Sequence, residues 1–530
     1  MLRYAANFSH DSCPPLRFQR SQKVGNQSRE GQTYRLELRR ESGVAQSLRW
    51  PASRVKAGIH NTVGGLIRTA ISVGTVPVIV RLIGLDEYGL WALVSAILGI
   101  VLLAEGGLSV STTVFVAQDL TKPNQSELAQ TLTVTIGAMG TLATGAALVL
   151  WFSADSISNL FPTLSFEQRT DAASTLRVSA LAVWFRLMQQ IPAGVEQACH
   201  RYGILNILTT VQQALSNLGL LGVAWFGGRA LAFMQWQALV GALALAAHAV
   251  VALRLLRPWR LRPVWNTARV REIGRYSVMT WTSALGTLLF SQCDRLVIAA
   301  ILNTASLGVY SAIANITTQI NVISALPVQP LVPLVSQMKA AGELLTSERK
   351  RQLREAFQMN VTLALMAGSG LYVLAPEVVR LFVPGSGSES VLLFRLATVI
   401  YALYSLNAAG YYILLGASSV GTCMKIVFCV GFLAVLAIAG GSFWLGLPGG
   451  IAGNLAYIGT LGLTVLGFKQ VGISAAEWSK WIRFPMIWSV VLILACYFIG
   501  DALVLRVLLL VLGLGILGKW WVSDIRRLPE

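Results

Sequence analysis

Charged side chains are scarce in this sequence. Asp, Glu, Lys and Arg make up 12% of the 530 residues, against 55% hydrophobic ones, where a soluble domain carries roughly 25% charge. That excludes a wetted surface over most of the chain. The six cysteines, Cys13, Cys199, Cys293, Cys423, Cys429 and Cys496, match no zinc or redox spacing. Most fall in or beside apolar runs, where cysteine packs as a small hydrophobe. His10, His60, His200 and His248 are too dispersed to suggest a metal cluster. Acids are outnumbered 24 to 42 by Lys and Arg, for a net charge of +18. No basic patch interleaved with aromatics accompanies that excess, which argues against nucleic acid. Positive charge of this kind collects in cytoplasmic loops and beside anionic lipid heads. Membrane lipids are expected partners; no metal, organic cofactor or nucleic acid is.

What is abundant is apolar length. Runs of about 20 apolar residues, each enough to cross a hydrocarbon core, recur on the order of 14 times. The expected fold class is therefore all-α, a polytopic helical membrane protein. Residues 1–56 stand apart as a basic tail, with eleven Lys/Arg against four Asp/Glu, and no fixed structure is expected there. Loop charge sets the topology. Basic residues gather after the sixth span (Arg254, Arg257, Arg260, Arg262, Arg269, Arg271, Arg275), after the eighth and at the C-terminus. The connections around 155–171, 303–306 and 445–448 are nearly free of them. Both termini are expected on the cytoplasmic side of the cytoplasmic (inner) membrane.

One short stretch repeats. PVIVRLIGLDEYGLWALV, from Pro77, breaks after an Arg, turns through Leu-Asp-Glu and resumes at once with Tyr-Gly-Leu-Trp. A similar shape begins at Ile301, as ILNTASLGVYSAIANI. Aligned, Gly89 falls on Gly308 and Trp91 on Tyr310. The copies lie six spans apart, so they share an orientation, which predicts a parallel repeat about an axis along the membrane normal and a site between the halves. The expected organisation is a lobe over 57–253, a basic linker over 254–272, a second lobe over 273–470, and two further spans over 471–530.

The hairpin RLIGLDEYGLWALV with its preceding Pro77, then AEGGLSVSTTV (104–114), FSQCDRLVIAAIL (290–302) and LGVYSAIANI (307–316), resemble the polysaccharide transporter family. These are the O-antigen-flippase-like members of the multidrug/oligosaccharidyl-lipid/polysaccharide (MOP) exporter superfamily. The resemblance runs over about residues 60–470 and implies two six-helix bundles forming a V around a central cavity. It also implies movement of undecaprenyl-pyrophosphate-linked oligosaccharides across the membrane for O-antigen, exopolysaccharide or capsule synthesis, with a polysaccharide polymerase and chain-length machinery as protein partners. Two spans beyond the usual twelve depart from that pattern, as in lipid II flippases of the same superfamily.

Polar stripes mark the inside of such a cavity. Asn206, Thr210, Gln213 and Asn217 recur at helical spacing, as do Thr280, Ser283, Thr287, Ser291 and Asp294, then Ser311, Asn315, Thr318 and Gln319. An Arg near a span centre costs about 2.5–3.5 kcal/mol even on a lenient scale, so intramembrane arginines ask for water, a partner or an anionic ligand. Arg68 and Arg186 sit deepest and Arg395 nearer an end; Arg295 could pair with Asp294. A guanidinium fork suits a pyrophosphate, and Gln190, Asn315, Gln319, Tyr401, Tyr404 and Tyr411 suit sugar hydroxyls. Glu105 and Asp294 are the candidates for coupling to H+ or Na+. Two rivals remain: an ion-coupled drug/cation exporter, disfavoured by a first span without acids, and a membrane glycan polymerase or ligase, for which no catalytic pair is evident.

Overall fold

The computed structural model describes residues 52–526 apart from 121–124, 200, 258–261, 341–345, 384–386, 418 and 499–502. Side chains are described except over 52–73 and 282–291, and at 125, 333, 337, 339–340, 521–522 and 524–526. The described residues form helices and short connections, with no strand. The first half comprises α1 (Ala52–Val101), a 3-10 turn (Leu102–Glu105), α2 (Leu108–Leu120), α3 (Gln125–Asn159), α4 (Phe166–Ala198), α5 (Tyr202–Trp225) and α6 (Ala230–Leu256). The second comprises α7 (Thr267–Ser291), α8 (Cys293–Ile301), α9 (Thr304–Ala325), α10 (Leu331–Ala340), α11 (Ser347–Val373) and α12 (Ala375–Phe382). It continues through α13 (Ser388–Tyr404), α14 (Ala408–Gly416), α15 (Val420–Gly453) and α16 (Leu461–Gln470), and two last helices follow, α17 (Ala475–Phe498) and α18 (Leu503–Arg526).

Glycine turns two of these into hairpins. α1 reverses at Gly84 (φ 83°) and α15 at Gly446 (φ 65°), left-handed conformations that a Cβ disfavours. Among the described residues, eight helical runs are long and apolar enough to cross a membrane, nine if the bent pair α11–α12 is one span. Two of those runs, Gly74–Leu120 and Val420–Gln470, contain such a reversal, so helical runs and passes are not the same count. The chain is a multi-pass membrane protein. Helix α4 is outside that set, and it carries Arg177 and Arg186 within its apolar length.

α1–α6 pack into one bundle, led by α4 against α6 and α3, and by α1 against α5. α7–α16 form the second bundle, with α7 packed on α15, α9 on α11 and α13 and α14 on α16, and α17–α18 lie against α11. The reversals at Gly84, 160–165, 226–229 and 302–303 and, counting helices along the second half, those after α12, at Gly446 and after α17 belong to what we call the hairpin end; the opposite end carries the basic linker.

The bundles meet at both ends. At the hairpin end the two copies of the repeat face each other. A Cβ on Gly89 would lie 2.0 Å from the Thr304 carbonyl oxygen, and one on Gly308 would lie 2.2 Å from that of Leu85. Leu85 and Thr304 are themselves equivalent in the alignment, so the contact is reciprocal, as an internal two-fold requires. One acid of the turn adds to it: Asp86 Oδ1 accepts from Thr304 Oγ1 at 2.8 Å. The other anchors the turn within the first bundle, Glu87 Oε1 accepting the backbone N–H of Ala230 at 2.8 Å, at the start of α6. Through Leu85 and Asp86 the Leu-Asp-Glu turn is a joint between bundles.

Candidate functional site

Between the bundles lies a cavity of about 880 Å³. Its walls come from α1, α4, α5 and α6 on one side and from α8, its preceding Gln292, and α9 on the other. The first-bundle wall is rich in amides: Gln189, Gln190, Gln212, Gln213, Asn217 and Gln237. Gln189 and Gln212 exchange hydrogen bonds at 2.8 and 3.1 Å, which fixes two of these side chains and keeps them polar toward the lumen. Two arginines, Arg186 and Arg295, line the space, and no Asp or Glu does among the described residues.

Arg186 lies past the middle of α4. It is exposed, and the surface it exposes belongs to the cavity. Arg295 enters from the other bundle. Its Nη2 donates to Asn315 Oδ1 at 2.8 Å, and Asn315 Nδ2 donates to the Tyr88 hydroxyl at 2.8 Å. This chain of bonds crosses from α8 to α1 and roofs the cavity just below the Gly89–Gly308 contact. The partners are neutral, so they orient the guanidinium without neutralising it. Trp91 Nε1, Asn217 Nδ2, Gln292 Oε1 and Arg295 Nε, all on lining residues, have no hydrogen-bond partner among the described residues. Buried polar groups are normally satisfied, so these are places for a ligand or water.

Of the residues expected to bind substrate, the cavity brings together Arg186, Gln190, Asn315 and Gln319. The side chain of Arg68 lies outside the described residues, as do those of Ser283, Thr287 and Ser291. Three expectations need correction. Arg395 is not in the central cavity; it lines a separate space with Tyr372 and Arg506. Tyr401 and Tyr404 point into the second bundle, where both rings pack on Tyr457 at 6.2 and 5.8 Å between centroids. Tyr411, likewise, packs beside Leu414, Cys423 and Leu463 rather than on the cavity.

The two acids diverge. Glu105 is half-buried in the 3-10 turn beside Gln190. Asp294 is 3% exposed and faces the interior of the second bundle. Its Oδ2 accepts from the Tyr310 hydroxyl at 2.7 Å, and that oxygen accepts from Asn454 Nδ2 at 3.1 Å. Arg295 gives Asp294 only its backbone N–H, at 2.8 Å. The neighbours Asp294 and Arg295 thus point to different places, because successive helical residues are about 100° apart.

At the opposite end the seam is polar. α2 begins after Gly106 and Gly107, both at positive φ, and Gly107 sits where a Cβ would lie 2.3 Å from the Ser277 carbonyl oxygen. The break frees backbone carbonyls, and Trp281 Nε1 donates to that of Leu103 at 2.7 Å. Beyond it, Arg269 Nη2 meets Asp119 Oδ2 at 2.5 Å, while Arg269 Nε donates to Thr131 Oγ1 at 2.9 Å. Burial alone would lower the Arg269 guanidinium, but the carboxylates of Asp119 and Glu272 outweigh it and hold it above its ordinary value.

Solved structures of membrane transporters share this fold. The lipid II flippase MurJ in an inward closed conformation superposes with a TM-score of 0.69 at 14% identity, over 88% of this chain and 99% of that one. An inward-facing multidrug resistance MATE transporter of the MOP superfamily gives 0.63 at 14% identity, over 79% and 98%. A MOP superfamily transporter from Pyrococcus furiosus, described as having a binding pocket of reversed polarity, gives 0.52 at 13%, over 81% and 96%. At these identities the likeness is one of fold. None of the curated proteins matches the sequence. Residues 55–339, more than half of the chain, match the family model described as polysaccharide biosynthesis protein. The chain belongs to that family.

Proposed function

We propose that this protein is a flippase for lipid-linked oligosaccharides, a transporter and not an enzyme, working by alternating access of its two bundles. One observation carries the reading: a cavity between the bundles with two arginines, no carboxylate among its described lining, and a wall of amides. Arg186 and Arg295 present fork-shaped donors to a diphosphate. Gln189, Gln190, Gln213 and Asn217 offer donors and acceptors to sugar hydroxyls, and the lipid tail stays in the bilayer between the bundles. The cation-exporter reading lacks the negative charge it would need in this space. In the proposed setting the protein lies in the cytoplasmic membrane with both termini inside, and the oligosaccharide crosses outward for a polymerase to extend.

Coupling to H+ or Na+ is assigned within this reading to Asp294. Its carboxylate, shielded from water and tied to Tyr310 and through it to Asn454, shares a helix with Arg295, so a change in its charge reaches the cavity through α8. Glu105, beside Gln190, is the second candidate. The test is transport in reconstituted vesicles of a prenyl-diphosphate oligosaccharide and, separately, of a lipophilic cation. Wild-type protein is expected to move the first and not the second. Asp294→Asn is expected to keep downhill transport and lose its acceleration by an ion gradient. Cation transport without oligosaccharide transport would overturn the assignment.

A further inference from the structure

A second polar cavity lies away from the cleft, where α17 and α18 pack on the second bundle. It has a volume of about 220 Å³ and is lined by Tyr372, Arg395, Cys496, Tyr497 and Arg506, with Val373 and Ile493. It sits at hairpin-end depth. α11 ends at Val373, α13 starts at Ser388, α17 ends at Phe498 and α18 starts at Leu503, so Arg395 is seven residues and Arg506 three residues inside a helix start. At a rise of about 1.5 Å per residue both guanidinia lie within roughly 10 Å of the helix ends, the level of the headgroups and the adjoining carbonyl region. Tyr497 and Phe498 are 69% and 83% exposed beside it, as aromatics at a membrane interface are.

The charges are unequal. Arg506 Nη1 lies 3.8 Å from Glu377 Oε1. Arg395 has a carbonyl and a ring: its Nε donates to the Tyr372 oxygen of the backbone at 3.4 Å, and its guanidinium lies 5.2 Å from the Tyr372 ring centroid. No carboxylate among the described residues is within ion-pair reach of it. A snorkelling arginine would extend to the aqueous edge; this one is folded over Tyr372 toward a second arginine. Arg395 thus brings to this space a guanidinium with no carboxylate partner among the described residues, which suits one negative charge. The cavity is smaller than those that enclose whole drug-sized ligands, which fits a phosphate and its first attached atoms but not an oligosaccharide.

We propose that this cavity binds the phosphate ester of a lipid in the hairpin-end leaflet, with Arg395 and Arg506 as its donors and the acyl or prenyl chains lying along α17 and α18. The site is separate from the transport cleft and does not depend on which cargo the cleft carries. The experiment is native mass spectrometry of the full chain in detergent, titrated with phosphatidylglycerol. Wild-type protein is expected to hold one lipid that Arg395→Gln holds about tenfold less tightly, the loss expected for one charge-assisted contact. Equal binding by the two overturns the proposal. Should the Gln variant not fold, Arg395→Lys decides the same question, since it keeps the charge and loses the fork; binding about threefold weaker supports the proposal and equal binding overturns it. Geranyl diphosphate distinguishes the source. Displacement of phosphatidylglycerol assigns the site to the diphosphate lipid, and persistence assigns it to a resident phospholipid.

Discussion

The two ends of the seam between the bundles are closed by different chemistry. At the hairpin end, backbone meets backbone: Gly89 against Thr304 and Gly308 against Leu85, with Asp86 and Thr304 bonded beside them. At the basic end one such backbone approach, Gly107 against Ser277, is joined by a run of side-chain contacts: Arg269 with Asp119 and Thr131, Ser111 with Ser277 at 2.7 Å, and Asn266 Nδ2 with Gln130 Oε1 at 2.9 Å. A backbone contact between glycines leaves no room for water and no intermediate separation, so it is shut or open. A polar contact can exchange its partners for water a bond at a time. In the proposed transport cycle the end nearer the basic loops would yield gradually and the hairpin end would act as the tight gate above the cavity.

The largest expected effect comes from breaking the tight end. Gly308→Val puts side-chain atoms where a Cβ is already 2.2 Å from the Leu85 oxygen. Overpacking of this kind costs about 1–3 kcal/mol, which moves a closed-to-open ratio by about five- to 150-fold. Transport should fall accordingly while the protein remains in the membrane. A cysteine placed at Ser95, on the cavity wall, should become reactive to a water-soluble maleimide added from the hairpin side. Unchanged labelling would remove this contact from the gating scheme. Asp119→Asn tests the other end. Asp119 is buried and Arg269 is 8% exposed, and removing one partner of a buried pair costs about 3–5 kcal/mol. Because Glu272 still holds Arg269 at 2.8 Å, the loss should be smaller than that figure. It should show as a lower melting temperature and faster labelling of the Ser95 cysteine from the basic side, with transport only reduced. An effect of Asp119→Asn equal to that of Gly308→Val would erase the contrast between the ends.

Much of this was legible before any coordinates, and for a physical reason. The hairpin repeat is short, but glycine and aromatic residues at fixed offsets made it visible; that Gly89 and Gly308 each abut the other copy's backbone emerges only from the structure. Arg186, Gln190, Asn315 and Gln319 were expected to face a cavity because polar residues are costly in hydrocarbon, and all four line this one. Arg295 was not assigned to the cleft, since a neighbouring Asp294 suggests a pair; one residue of helical rotation sends the acid into the second bundle and the arginine into the cavity. Tyr401 and Tyr404 failed in the opposite sense. Tyrosine serves an apolar core as readily as a sugar site, and its sequence does not tell which face of α13 meets the cleft. Arg395 shows the same limit, because span depth can be counted from sequence whereas the neighbour across the helix face cannot.

The claim beneath all of this is that the cleft holds an anion, and Arg186 tests it most directly. Initial transport rates in vesicles should be compared for wild type and Arg186→Ala, using a prenyl-diphosphate oligosaccharide and an analogue with a neutral linkage. Loss of charge-assisted hydrogen bonds worth about 1.5–3 kcal/mol predicts a rate about ten- to a hundred-fold lower for the diphosphate cargo and little change for the neutral one. Equal rates for the diphosphate cargo in the two proteins, or the same loss for both cargoes, would contradict it.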